Sequence, residues 1–134
     1  MGKFPEKEWV QEFYEKLNSD DRYAKVAQKW EGDMLFIIDP AGAQKEAIVF
    51  YLDLWHGKCR EAYTVTDISG RKAAFTLQGP YTEYVRLLKG DLEPMQALLS
   101  RKLSLRGNMA VLMRNIPVVL DFVRCAREVT DSWV

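Results

Sequence analysis

The 134 residues contain one histidine and two cysteines, which leaves little imidazole or thiol chemistry. Any Ser-His-Asp or Cys-His arrangement must use His56, which stands in a predicted hairpin turn beside Gly57 and Lys58. No G-x-S-x-G turn is present to carry a nucleophile. Cys59 and Cys125 lack metal-type spacing, and with a single histidine they make no familiar zinc site. They are expected to be two reduced, buried thiols of a cytoplasmic protein. The chain has no EF-hand loop, and none of its eight glycines falls into G-x-G-x-x-G or G-x-x-x-x-G-K spacing. These absences point away from metals, cofactors and catalysis.

Long apolar runs are missing too: none approaches the roughly 18 residues that cross a bilayer, so no membrane span is expected. The opening "MGKFPEKEWV" lacks a secretory core, and Glu6 occupies the place where myristoylation wants Ser or Thr. The closing "DSWV" is neither a prenylation box nor a peroxisomal signal. Nineteen basic residues balance nineteen acidic ones, which argues against general nucleic-acid binding. The expectation is one cytoplasmic domain over residues 1–134, with 48% hydrophobic residues to build a core.

Periodicity then places the elements. In "PEKEWVQEFYEKLNSD", Trp9, Phe13 and Leu17 recur at intervals of four and predict an amphipathic helix. Ser19 is the expected cap of a second short helix carrying Tyr23, Val26, Ala27 and Trp30 and stopped by Gly32. "DMLFIIDP", "EAIVFYLDLWHG", "KCREAYTVT" and "RKAAFTLQG" read as four strands, the last following a Ser69-Gly70 turn. In the second strand Ile48, Phe50, Leu52 and Leu54 share the inner face, while Asp53 marks the other as nearer water. Ala73, Phe75 and Leu77 are expected on one side of the fourth. Helices follow in "PYTEYVRLLKG", ending at Gly90, and in "DLEPMQALLSRK", with Pro94 in its first turn. "KLSLRG" is a fifth strand with Leu103 and Leu105 pointing one way. The last helical stretch, from Asn108, should break near Asn115 because Pro117 cannot sit inside an unbroken helix.

Few motifs carry chemistry. Gly107-Asn108 stands between strand and helix, where free N–H groups can face an anion, but asparagine there is first an ordinary cap. Arg86 and Lys89, three apart on a helix, offer a weak site for an acidic head group. The stripe of Met95, Met109 and Met113 with its branched aliphatic neighbours has core periodicity, yet methionine also suits an adaptable apolar ligand.

The stretch "RKAAFTLQGPYTEYVRLLKGDLEPMQALLSRKLSLRGNMAVLMRN" resembles the sterol carrier protein (sterol-transfer) family, as do "EWVQEFYEKLN" and "KWEGDMLFII" of its stand-alone prokaryotic branch. The family pattern of "AFTLQG", "LLKG", "LEPMQALL", "RKLSLRGN" and "MAVLMRN" keeps its order and spacing. Ser100-Arg101 stands where a glycine usually precedes the lysine, and Asn108 replaces the commoner aspartate. The resemblance implies an α+β fold: a five-stranded, mainly antiparallel sheet with helices over one face and an apolar tunnel between. It implies non-enzymatic carriage of a lipid or acyl chain (fatty acid, acyl-CoA, sterol or another lipid). The expected tunnel wall comprises Phe36, Ile38, Phe50, Leu52, Phe75 and Leu77 from the sheet. Met95, Leu98, Leu105, Met109, Leu112, Met113, Ile116 and Leu120 complete it. The alternative is an accessory module with a filled core. In that reading the fold serves as a homodimer or partner platform, and Trp9, Tyr51, Trp55 and Trp133 form the interface.

Overall fold

The computed structural model describes residues 2–68 and 71–134, so the expected Ser69-Gly70 turn lies outside the described residues. Strand alternation builds a five-stranded sheet in which β2 (Met34–Asp39) is central. It pairs antiparallel with β3 (Ile48–Trp55), setting Phe36 opposite Phe50, and parallel with β5 (Phe75–Pro80), setting Phe36 opposite Leu77. β4 (Lys58–Thr64) extends the β3 edge through the His56-Gly57 turn, and β6 (Ser104–Arg106) pairs antiparallel with β5. The order is β4-β3-β2-β5-β6, with the β2–β5 pair as its parallel junction.

Six helices accompany the sheet among the described residues: α1 (Lys7–Ser19), α2 (Asp21–Val26), α3 (Tyr81–Lys89), α4 (Pro94–Leu99), α5 (Met109–Met113) and α6 (Ile116–Glu128). Trp9, Val10, Phe13 and Leu17 of α1 turn inward, as their spacing requires, to meet Phe36, Ile38, Phe50 and Leu52 in one core. The opposite sheet face carries a smaller cluster of Leu35, Ile37 and Val49, with Tyr51, Val65 and Ala73 packed on it. No helix among the described residues is long and apolar enough to cross a membrane.

Local chemistry decides most boundaries. Asp20, not Ser19, caps α2 by accepting from the Tyr23 N–H at 2.9 Å; the Ser19 hydroxyl instead donates back to the Lys16 carbonyl. Aspartate presents a carboxylate to the free N–H groups, a better match to the helix dipole than a hydroxyl. Trp30 lies beyond the end of α2. Gly90 closes α3 in the left-handed region (φ 86°), and Pro94 opens α4. Arg101 occupies φ 60° where the family pattern favours glycine, so the departure seen in the sequence becomes a left-handed arginine. Asn108 caps α5 by accepting from the Val111 N–H at 3.2 Å, and Asn115 separates α5 from α6. Ala73 leaves the line of Phe75 and Leu77 because β5 begins only at Phe75.

One pairing has no sequence forecast. β1 (Gly2–Phe4) runs parallel to β7 (Thr130–Trp133), and the Trp9 indole donates to the Thr130 hydroxyl at 2.7 Å. Phe4 thereby reaches the core between Trp9, at 4.9 Å between ring centroids, and Tyr81, at 6.0 Å. Trp9 itself is 2% exposed, which removes it from any surface interface.

Candidate functional site

A cavity of about 100 Å³ lies between the sheet and the helices. Its floor is sheet: Met34 and Phe36 from β2, Phe50 and Leu54 from β3, Leu77 from β5 and Leu105 from β6. Strand parity selects these residues, since every second side chain faces the helices. The roof comes from α3 (Tyr84, Leu87, Leu88), α4 (Pro94, Ala97, Leu98), Leu112 of α5 and Val118, Val119, Phe122, Val123 and Ala126 of α6. Phe4, Trp9, Phe13, Tyr23, Trp30 and Leu103 complete the wall. Stacked rings stiffen the interior: Phe36 lies 4.7 Å from Phe50 and 5.9 Å from Phe122 between centroids, both nearly parallel.

No wall residue carries a formal charge. Tyr84, Trp30 and Trp9 of the wall have their polar groups committed to partners. The Tyr84 hydroxyl reaches the Leu77 and Ile37 carbonyls at 3.0 and 3.2 Å, and burial holds its pKa well above the usual phenol value. The Trp30 indole donates to the Gly32 carbonyl at 2.9 Å, and Trp9 is held by Thr130. A guest meets mostly methylene and ring surface, so such a space selects chiefly by shape and hydrophobicity.

The expected wall residues divide. Phe36, Phe50, Leu77, Leu98, Leu105 and Leu112 line the cavity together. Ile38 and Leu52 are completely buried in the core away from it, and Phe75 stacks on Trp30 at 5.4 Å. Met95 and Ile116 are half-buried outside the wall, whereas Met109 (42% exposed), Met113 (46%) and Leu120 (42%) face outward. Of the five residues of α5 only Leu112 lines the cavity, while Val111 packs half-buried on the core. α6 places residues 118, 119, 122, 123 and 126 on the cavity, and Leu120 points away from that face. Trp9, Phe13, Tyr23, Trp30 and Phe122 escaped the sequence reading as wall residues. The helical spacing of Trp9, Phe13 and Tyr23 marks them as buried, and nothing in a sequence separates core from cavity wall.

Reactive groups lie elsewhere. His56 Nε2 meets Glu31 at 2.6 Å in an exposed turn, with its ring stacked on Trp55. Burial pushes the Cys59 and Cys125 thiols up to about 12, so neither is a thiolate at neutral pH. Arg124 grips Asp20 at 2.6 Å, Asp121 at 2.7 Å and Glu128 at 2.9 Å, while Lys16 joins Glu128 at 2.7 Å. The Arg124 hydrogen bonds hold the Asp20 carboxyl far below its usual range. Asp20, Asp121 and Cys125 cluster closely enough to suggest a metal, but Arg124 already neutralises the carboxylates and the thiol keeps its proton. Arg86 is paired with Glu83 at 3.0 Å, and the Lys89 ammonium sits 5.2 Å from the Trp133 ring centroid. Two surface depressions, of about 490 and 340 Å³, lie along α1 and β4, walled by mixed side chains such as Lys7, Glu8, Gln11 and Tyr63.

Residues 11–119 match the model of the SCP-2 sterol transfer family. A crystal structure of sterol carrier protein 2 superposes with a TM-score of 0.83 at 32% identity, covering 92% of this chain and 96% of that one. The solution structure of a conserved hypothetical protein from Thermus thermophilus gives the same score and identity, with 95% and 90% covered. At 19% identity and a TM-score of 0.54, sterol carrier protein-2 of Aedes aegypti, in complex with the C16 fatty acid palmitate, shares the fold over 88% of this chain and 93% of its own. No curated protein sequence matches the chain.

Proposed function

Because the chain belongs to the SCP-2 sterol transfer family, we propose that it is a non-enzymatic carrier. As a single domain it takes one apolar ligand of the fatty-acyl class into the cavity between sheet and helices. The observation that carries this reading is the uncharged wall, in which the Tyr84 hydroxyl and the Trp9 and Trp30 indoles are committed elsewhere. Each methylene transferred from water into such a space gains about 0.8 kcal/mol. Ordering the chain offsets much of that gain and leaves binding reversible, as a carrier requires.

The volume sets a condition. An apolar cavity of about 150 Å³ holds one benzene ring, so about 100 Å³ accepts a long chain only when the wall yields. α4 and α5, six and five residues long, are the parts of that wall best suited to move. Helices so short have little stability of their own and depend on their packing. The polar head of the ligand stays at the opening, where Leu77, Leu98, Leu105 and Val119 of the wall reach solvent.

The same small volume favours the second reading, an interaction module with a filled core. Displacement of a fluorescent fatty acid, together with native mass spectrometry of the protein and its lipid, separates the two. The carrier binds stoichiometrically and melts higher with ligand. A protein that retains no lipid, and whose melting point no fatty acid or sterol moves, is the filled module.

A further inference from the structure

Four side chains of the cavity wall carry a nitrogen or oxygen atom: Trp9, Tyr23, Trp30 and Tyr84. Trp9, Trp30 and Tyr84 give theirs to Thr130, Gly32 and the Leu77 and Ile37 carbonyls. The Tyr23 hydroxyl has no hydrogen-bond partner among the described residues; only the backbone of Tyr23 is bonded, its N–H to Asp20. Bulk water barely reaches this residue, which is 1% exposed. No side-chain nitrogen or oxygen of the described residues is both sealed off and unpartnered, so the hydroxyl borders open space. The space that Tyr23 lines is the cavity. A water held there would find one free side-chain partner, where a buried water usually has about three. An unmade hydrogen bond in an apolar enclosure is costly, and an oxygen on the guest removes that cost.

Tyr23 is also held in place. Its N–H is capped by Asp20, which Arg124 grips at 2.6 Å, so the first turn of α2 is tied to α6. On its other side α2 lies so close to the β3–β4 turn that a Cβ at Gly57 would meet the Ala24 carbonyl oxygen at 2.6 Å. A donor fixed in this way gives up little freedom when it bonds a guest. Burial, the Cys59 and Cys125 thiols and Asp121 together raise the phenol above its ordinary pKa, so it keeps its proton and its surroundings oppose a second negative charge. A carboxylate is therefore a poor partner at this point and a neutral oxygen a good one. We propose that the carried ligand bears a neutral hydroxyl or carbonyl oxygen on its buried portion, received by the Tyr23 hydroxyl. The cavity then favours oxygenated chains, such as alcohols and hydroxy- or keto-acyl chains, over plain hydrocarbon. This inference rests on the carrier reading and adds to it the class of the ligand.

The experiment compares decane with 1-decanol, which differ by a single hydroxyl, as competitors of a bound fluorescent fatty acid. It is run on the wild-type protein and on Tyr23→Phe. The ratio of decanol to decane affinity should be roughly three- to tenfold higher in the wild type, the worth of one neutral hydrogen bond. The melting point of the ligand-free variant should stay level or rise, because the hydroxyl it loses has no partner in the fold. An unchanged ratio, with both compounds still competing, overturns Tyr23 as the anchor and leaves the carrier reading standing. A clear fall in the ligand-free melting point assigns the hydroxyl to the fold and overturns the anchor as well. When neither compound nor the fluorescent fatty acid binds the wild type, the carrier reading itself fails and this inference falls with it.

Discussion

Replacing Ala126 by leucine tests whether the cavity is a space or merely loose packing. Ala126 is 5% exposed on α6 and forms part of the wall, so a larger side chain there enters the void. Cavity volume costs a fold about 24 cal/mol per Å³, so abolishing about 100 Å³ recovers at most about 2 kcal/mol. Three added carbons buried from water give a similar figure, at about 0.8 kcal/mol each. Imperfect fit reduces both, leaving an expected gain of about 1 kcal/mol, or a rise in Tm of roughly 4 °C for a domain of this size. Ligand affinity should move the opposite way, because the filled space no longer admits a chain without further displacement of α4 and α5. A tenfold or greater loss of fluorescent fatty-acid affinity beside a raised Tm in differential scanning calorimetry is the expected pair. A fully packed interior predicts a different pair: overpacking lowers stability by about 1–3 kcal/mol and leaves no fatty-acid affinity to lose. A lowered Tm with unchanged fatty-acid binding refutes the assignment of this cavity as the ligand site.

Three further outcomes follow from particular contacts. Arg124→Ala leaves Asp20, Asp121 and Glu128 without their shared cation and should cost roughly 2–3 kcal/mol at neutral pH, measured by urea unfolding. Asp20 and Glu128 are held below the ordinary 3.8 and 4.5 of their side chains, so their stabilisation is full above that range and is lost as pH falls through the depressed folded values. The deficit of the variant should therefore shrink in acid, and a pH-independent deficit would speak against the ion-pair origin. Arg101→Gly relieves the left-handed arginine at φ 60° and should stabilise the protein by about half to 1 kcal/mol, read as a shift of the urea midpoint. Cys59 and Cys125, 2% and 0% exposed with thiols pushed up to about 12, should resist iodoacetamide at mildly alkaline pH until denaturant is added, as intact-mass spectrometry would show.

Local rules made much of the fold legible in the sequence. The four-residue spacing of Trp9, Phe13 and Leu17 marks the buried face of α1, and alternation from Ile48 to Leu54 assigns the inner face of β3. Gly90, Pro94, Asn108 and Asn115 mark helix boundaries, because capping and the missing proline N–H act over a few residues only. Order and spacing in the second half were enough to identify the family.

Tertiary structure alone decided which apolar side chains face a void. Phe36, Phe50 and Leu77 could be named beforehand because a strand has only two faces. Met109, Met113 and Leu120 could not be placed, because a helix as short as α5, or one as apolar as α6, fixes no rotation by its own pattern; its neighbours fix it. Nor did the three residues of β1 and the four of β7 announce their pairing, since strands so short gain stability only from a partner far along the chain. The sequence determined what avoids water through the period of its side chains. Only the packed molecule decided what that apolar surface encloses, because a cavity is volume left between elements and belongs to no residue.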